Sequence, residues 1–282
     1  MNADWLEKLS QRAKRGRLRE AAPASRVGVV TDSAAALPEN WAASASVTDL
    51  VRVVSMPVMI GDQIYGEGTD RMIGALALAL AQGSDVRTSR PSPGQFEAAY
   101  AELAAAGCSS VVSLHLSGEL SGTVDAARLA ARSASIPVTV IDTASVAMGL
   151  GFAVAAAAET ARDGGSAELV ADAARVAAAS ASILFYVPSL DQLRRGGRIS
   201  AAAGWFGTLF AVKPILVVRG GKIVPLERVR SAPRALLRLT ELVQQDITAR
   251  SGRVRVAVHH FGNEGEAERL AGTITEVSPG WS

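Results

Sequence analysis

Ser110-Val111-Val112-Ser113-Leu114-His115-Leu116-Ser117-Gly118-Glu119-Leu120-Ser121-Gly122-Thr123 is one unit of a plan that recurs along the chain. Its first half is a β-branched apolar run of strand length. Its second half is a turn of small hydroxyl residues and glycines, and a helical stretch follows to about Ser133. Upstream, Arg26-Val27-Gly28-Val29-Val30-Thr31-Asp32-Ser33 repeats the pattern of a buried strand running into a polar turn. Downstream, Pro137-Val138-Thr139-Val140-Ile141-Asp142-Thr143 does so again, before a long Ala-rich helix that begins near Ser145 or Gly149. Strands alternating with helices imply an α/β fold with a mostly parallel sheet covered on both faces. In such a sheet ligands gather beyond the carboxyl ends of the strands. Thr31–Ser33, Ser117–Ser121 and Asp142–Thr143 should therefore share one rim.

Between these units the sequence changes character. Val51–Ile60 reads as one extended run, and Gly61-Asp62 turns it back into Gln63–Tyr65 as a hairpin. A helix is expected over Thr69–Gln82, and another from Pro93 to about Ala106. They are joined by a second hydroxyl segment, Thr88-Ser89-Arg90-Pro91-Ser92-Pro93-Gly94. The later part reads as α+β with a mixed or antiparallel sheet. It has a helix at 166–179, a strand at 182–187, a short helix at 189–195, a glycine-turned hairpin over 215–226, a long helix at 230–250, a strand at 254–260 and a final helix at 264–277. The domains expected are a basic N-terminal extension (1–26), a first domain with a hairpin insertion (27–150) and an α+β second domain (151–282).

Composition narrows the function. The formal net charge of +2 over 282 residues gives no general electrostatic case for nucleic acid. The single cysteine, Cys108, excludes an internal disulfide framework and fits a reducing, cytoplasmic setting. Residues 1–22 carry Arg12, Lys14, Arg15, Arg17 and Arg19 with no apolar centre, so they do not read as a secretory signal. That basic arm is a solvated appendage or a dock for a partner. The longest uncharged apolar stretch, Thr143–Ala158, is shorter than the roughly 20 residues needed to cross a bilayer. No integral membrane protein is expected.

The absent motifs are informative too. Ser121 sits between Leu120 and Gly122, so there is no Gly-x-Ser-x-Gly elbow. No Gly-x-x-x-x-Gly-Lys-Ser/Thr loop appears, and no Cys/His spacing suits zinc. No catalytic residue and no metal or other cofactor is assigned. Hydroxyls and backbone N–H groups at strand-to-helix turns suit an anionic head group that is held and not transformed. The competing reading of the same residues is turn chemistry, since Ser and Thr cap helices whatever the function. Asp32 in its turn suits capping or bracing a loop. His115, inside an apolar strand, suits a core imidazole bonded to the backbone. The enzymatic alternative is a small-molecule hydrolase or phosphotransferase using Ser121, His115 and Asp32.

Taken in order, seven pieces resemble the DegV family of bacterial fatty-acid-binding proteins. They are Val30–Ser33, Thr88–Phe96, Leu120–Thr123, Val140–Thr143, Leu193-Arg194-Arg195-Gly196-Gly197-Arg198-Ile199-Ser200, Lys213–Leu216 and Val229-Arg230-Ser231. The resemblance spans about residues 27–278. It implies a Rossmann-like first domain, an α+β second domain and a long-chain fatty acid such as palmitate between them. It further implies a non-catalytic subunit that presents the carboxylate to a separate fatty acid kinase catalytic subunit. The acyl phosphate so formed feeds phospholipid synthesis. By this resemblance and by their chemistry, Thr88 or Ser89 together with Ser121 are the head-group donors, with the backbone N–H groups of Gly122 and Thr123 helping. Arg198 faces the ligand or the phosphate to be added, and Arg230, with Arg194 and Arg195, does likewise or forms a partner surface. Lys213 has similar standing. The tunnel-lining candidates are Ile60, Leu184, Phe185, Phe206, Leu209 and Phe210, with 203–208 as a flap. Family members usually end in Gly-x-His-x-Gly-Pro-Gly. The sequence here ends Ser278-Pro279-Gly280-Trp281-Ser282, and the earlier His259 and His260 do not replace that histidine.

Overall fold

The computed structural model describes residues 26–66, 70–82, 84–199 and 213–277. The elements in chain order are β1 (Val27–Asp32), a 3-10 turn (Ser33–Ala35), α1 (Trp41–Ser44), β2 (Val51–Val54), β3 (Pro57–Ile60), β4 (Gln63–Gly66), α2 (Asp70–Ala81), β5 (Val86–Thr88), α3 (Pro93–Ala105), β6 (Ser110–His115) and α4 (Thr123–Ala131). Then come β7 (Val138–Asp142), α5 (Met148–Arg162), α6 (Ala167–Ser180), β8 (Leu184–Tyr186), α7 (Asp191–Arg195), β9 (Lys213–Arg219), β10 (Lys222–Val229), α8 (Ala232–Ala249) and α9 (Glu264–Val277).

The central sheet has four parallel strands in the order β2-β1-β6-β7. Alternation along β1 sends Val27 and Val29 to one face and Val30 to the other, and each face has its own apolar cluster. One face packs α3 and α4 through Phe96, Ala99, Tyr100, Leu103, Ala126, Ala127 and Ala130. The other packs α5 and α6 through Leu150, Val154, Ala157, Ala158, Val170 and Ala174. The expected domain boundary between residues 150 and 151 falls inside α5. Cys108, buried between α3 and β6, belongs to the α3/α4 cluster.

Two antiparallel sheets flank this core, β4-β3-β5 and β10-β9-β8. The tip of the β9–β10 hairpin carries Gly220 at φ 56° and Gly221 at φ 77°, the two positive-φ residues that a tight hairpin turn requires. Two sequence expectations need correction. The run 51–60 is two strands in different sheets. It breaks where Met56 donates its N–H to Ser33 Oγ (2.9 Å) and Pro57, which has no N–H of its own, begins β3. The stretch 254–260 forms no strand. It has the β-branched residues but no ladder partner among the described residues, and Val256 is left 46% exposed. Residues 1–25, 200–212 and 278–282 lie outside the described residues. With them go the basic arm, the flap, three of the tunnel candidates (Phe206, Leu209 and Phe210) and the chain's end.

Candidate functional site

The polar ends of β1, β6 and β7 meet at one rim. Behind it lies a buried chain of side chains. Asp32, at the end of β1, accepts N–H from Ala34 (3.1 Å) and from Leu116 (3.2 Å). Its Oδ2 also lies 2.9 Å from His115 Nδ1, which donates because the carboxylate only accepts. His115 Nε2 is 2.7 Å from Ser113 Oγ, and Ser113 Oγ is 3.0 Å from Tyr100 OH. Asp32, His115 and Ser113 are all 0% exposed, and the imidazole and the Phe96 ring meet in a T-shaped contact, 4.9 Å between centroids. Burial pushes the Tyr100 phenol up to about 12, against the lowering influence of its Ser113 hydrogen bond. The chain satisfies every member and ties the ends of β1 and β6 together. Thr143 adds β7 by donating from Oγ1 to the His115 carbonyl (2.8 Å). Asp32 thus acts as the cap and brace expected of it. His115 differs from expectation, because its ring partners are side chains.

This geometry does not assemble the enzymatic alternative. The hydroxyl beside the imidazole belongs to Ser113, in the interior. Ser121 Oγ instead pairs with Thr123 Oγ1 at 2.8 Å. Among the described residues no group of three or more His, Cys, Asp or Glu side chains is placed to hold a metal ion.

In front of the rim lies the turn 117–122. The Ser117 carbonyl accepts from Leu120 N (3.0 Å) and Ser121 N (3.1 Å), and Ser117 N donates to the Ser145 carbonyl (2.9 Å). Gly118 N donates to Asp142 Oδ2 at 3.1 Å, while the other oxygen of Asp142 holds Ala144 N at 2.9 Å. The turn delivers Ser121, Gly122 and Thr123 to the start of α4. Of the expected residues, these three come together by chain continuity. Ser121 is half-buried and Thr123 is buried.

Arg90 links the other hydroxyl segment to this spot. A Cβ on Gly122 would lie 2.8 Å from a guanidinium nitrogen of Arg90 and 3.3 Å from its Cδ. The arginine therefore lies across Gly122 and fills the space that any side chain there would take. Arg90 escaped the sequence reading as a site residue, although it sits inside the quoted Thr88–Gly94 motif. Its signal was a lone cation between hydroxyls. Thr88, the last residue of β5, and Ser89, which follows it, are both exposed, and the loop is anchored by Ser89 N donating to the Pro57 carbonyl (2.9 Å).

The remaining expected residues are placed differently. Arg198 donates from Nε to the Leu120 carbonyl (3.1 Å) and from a terminal nitrogen to the Gly196 carbonyl, so it holds the turn's backbone. Arg230 is exposed at the bend between β10 and α8, and among the described residues no hydrogen bond joins it to the cluster. Lys213 donates to the Pro188 carbonyl at 2.8 Å. Ile60 is half-buried on β3, and Leu184 and Phe185 are half-buried on β8. Phe185 packs on an apolar cluster that spans both halves of the chain. That cluster includes Leu116 and Leu120 from the first half, and Ile199, Leu216 and Ile223 from the second.

Comparison with known proteins places the sequence and the fold. The sequence model of a family described as "Uncharacterised protein, DegV family" matches residues 26–280. A DegV domain-containing protein of Streptomyces coelicolor is 46% identical over 254 residues, covering 90% of this chain and 88% of the relative. One of Deinococcus radiodurans is 39% identical over 232 residues, covering 82% and 80%. Among solved structures, a fatty-acid-binding DegV family protein from Thermus thermophilus superposes with a TM-score of 0.79 at 31% identity, covering 90% of this chain and 89% of that one. DegV of Bacillus subtilis, described as a fatty acid binding protein, gives 0.79 at 28% identity with the same coverage.

Proposed function

The chain belongs to the DegV family, and from that premise we propose that it binds a long-chain fatty acid with the carboxylate at Ser121, Gly122 and Thr123 and the tail along the apolar seam between its halves. The observation that carries this reading is Arg90 lying across Gly122. Through this side chain the segment that carries Thr88 and Ser89 reaches the turn that carries Ser121, next to Leu120 and the cluster that continues into the second half. A buried carboxylate needs donors or a cation, and both are within reach there.

The energetics divide the work. Burying about sixteen methylene-sized groups at ~0.8 kcal/mol each gives gross affinity on the order of 10 kcal/mol. Each hydroxyl hydrogen bond adds about 1 kcal/mol net. The tail sets affinity, and the rim sets which end enters and what it carries. The acid is then presented, carboxylate outward, to a separate kinase subunit that forms the acyl phosphate, and this chain supplies no catalytic group. The exposed Arg230 suits a surface for that partner.

Mass spectrometry of a denatured extract of the protein purified from bacteria is expected to show a long-chain fatty acid. A lipid-free extract that also fails to titrate with palmitate would overturn the reading. The double variant Ser89→Ala, Ser121→Ala should lose affinity for palmitate by about tenfold while binding hexadecanol nearly as before. Equal losses for both would reject the head-group assignment. Acyl phosphate should appear only when a kinase subunit is added.

A further inference from the structure

The hydroxyl segment 117–123 contains a serine that the head-group reading does not use. Ser117 is 1% exposed, and its hydroxyl does two things at once. It accepts the N–H of Glu119 (3.2 Å), and it donates to the carbonyl of Gly221 (2.8 Å), 104 residues away at the tip of the β9–β10 hairpin. Gly221 is built for that approach. Its φ of +77° suits glycine, and a Cβ there would collide with Ser117 Oγ and come within 3.5 Å of Ala144 Cβ and Glu119 Cγ. Two further contacts from the second half land on the same few residues. Arg198 Nε donates to the Leu120 carbonyl (3.1 Å), and Lys222 Nζ lies 3.3 Å from Glu119 Oε2. That last pair is well exposed on both sides and adds little. The grip is therefore the Ser117–Gly221 bond with the Arg198–Leu120 bond, one at each end of the turn that leads directly into Ser121.

We propose that Ser117 and Gly221, with Arg198, are positioning residues for the head-group turn. Through them the hairpin tip of the second half holds Ser121–Thr123 in acid-binding geometry. This rests on the head-group reading above. The coupling is reciprocal. If a docked hairpin strengthens acid binding, a bound acid must strengthen hairpin docking by the same factor. Arg198 acts here through the backbone of Leu120 and does not touch the acid.

Hydrogen exchange of the full-length protein with and without palmitate tests this, alongside titration of Ser117→Ala and Gly221→Ala with palmitate and hexadecanol. Palmitate is expected to slow amide exchange at 219–222 together with 117–123. Both variants should lose palmitate affinity by about fivefold, the worth of one hydrogen bond, with hexadecanol affinity held within twofold. The exchange measurement needs only the wild-type chain, so it stands even if Gly221→Ala folds poorly. Wild type that binds palmitate with unchanged exchange at 219–222 would overturn the proposal and leave the head-group reading intact. Equal losses for acid and alcohol would overturn it as well, showing the bond to be a general structural tie. Wild type that binds no palmitate would overturn both.

Discussion

Thr88–Gly94 and Ser117–Thr123 both bring small hydroxyl residues to the start of a helix, yet the structure holds them in opposite ways. The first leaves Thr88, Ser89 and Arg90 exposed. It is fixed by the Ser89–Pro57 bond and by Ser92 donating its N–H to Gln95 Oε1 (2.9 Å) at the mouth of α3. The second is pinned from three directions: by Asp142 at Gly118, by Ser145 at Ser117, and by the hairpin tip and Arg198 from the other half. It also rests on the buried Asp32–His115–Ser113–Tyr100 chain. In the proposed site, the wall built by 117–123 is tied down on several sides, and the wall built by 88–90 faces solvent.

The largest effect should come from undercutting the fixed wall. Asp32→Ala strips the acceptor from His115 Nδ1, Ala34 N and Leu116 N at once, and should cost about 3–5 kcal/mol in urea unfolding. A loss below about 1 kcal/mol would show that the buried chain supports nothing. Next is an alkaline limit. Tyr100 is held protonated by burial, its folded value of about 12 lying above the ordinary 10. Its contribution is therefore complete below about pH 10 and is lost as pH rises from 10 towards 12, for a total of about 2–3 kcal/mol. Tyr100→Phe should flatten the stability curve over that window, and an unchanged curve would remove Tyr100 as its cause. The two walls can then be set against each other with a glycine-to-alanine substitution in each. Gly118→Ala drives a Cβ to 2.8 Å from Asp142 Oδ2 and 3.3 Å from Val124 Cγ1, and should cost about 1–3 kcal/mol. Gly94→Ala finds nothing nearer than Ser92 Oγ at 4.0 Å, and should stay within about 0.5 kcal/mol of wild type. Equal midpoints for the two variants would break the contrast. The last effect has the opposite sign. Thr31 Oγ1 is buried without a hydrogen-bond partner among the described residues, so Thr31→Val should raise stability by about 1 kcal/mol.

The sequence disclosed the parallel core because that core follows from local chemistry. Val27–Asp32, Ser110–His115 and Val138–Asp142 each end in polar turn residues where the structure ends a strand. It also disclosed the hairpin, because Gly220-Gly221 leaves few alternatives. It misread 254–260, where β-branched residues marked a strand that only a neighbouring strand could have completed. Of the proposed head-group site, only part can be read from residue type. Ser121, Gly122 and Thr123 announce themselves by composition. Arg90 over Gly122, Arg198 on the Leu120 carbonyl and Ser117 on Gly221 are long-range contacts, two of them to backbone carbonyls, and backbone carbonyls leave no trace in residue type. Asp32 and His115, 83 positions apart, read as a turn acid and a strand imidazole, and only the enzymatic alternative groups them, with Ser121 and not with Ser113. Nothing short of the strand order β2-β1-β6-β7 could pair them.

The lone thiol has a practical use. Cys108 is 4% exposed, and burial pushes its ionisation upward, so it reacts poorly with alkylating reagents at neutral pH. The native background is thus almost silent to maleimide chemistry without any prior removal of sulfur. A fluorophore placed through Arg219→Cys, at the exposed hairpin edge, would report that one location in an otherwise unaltered chain, giving a direct optical readout of movement between the halves.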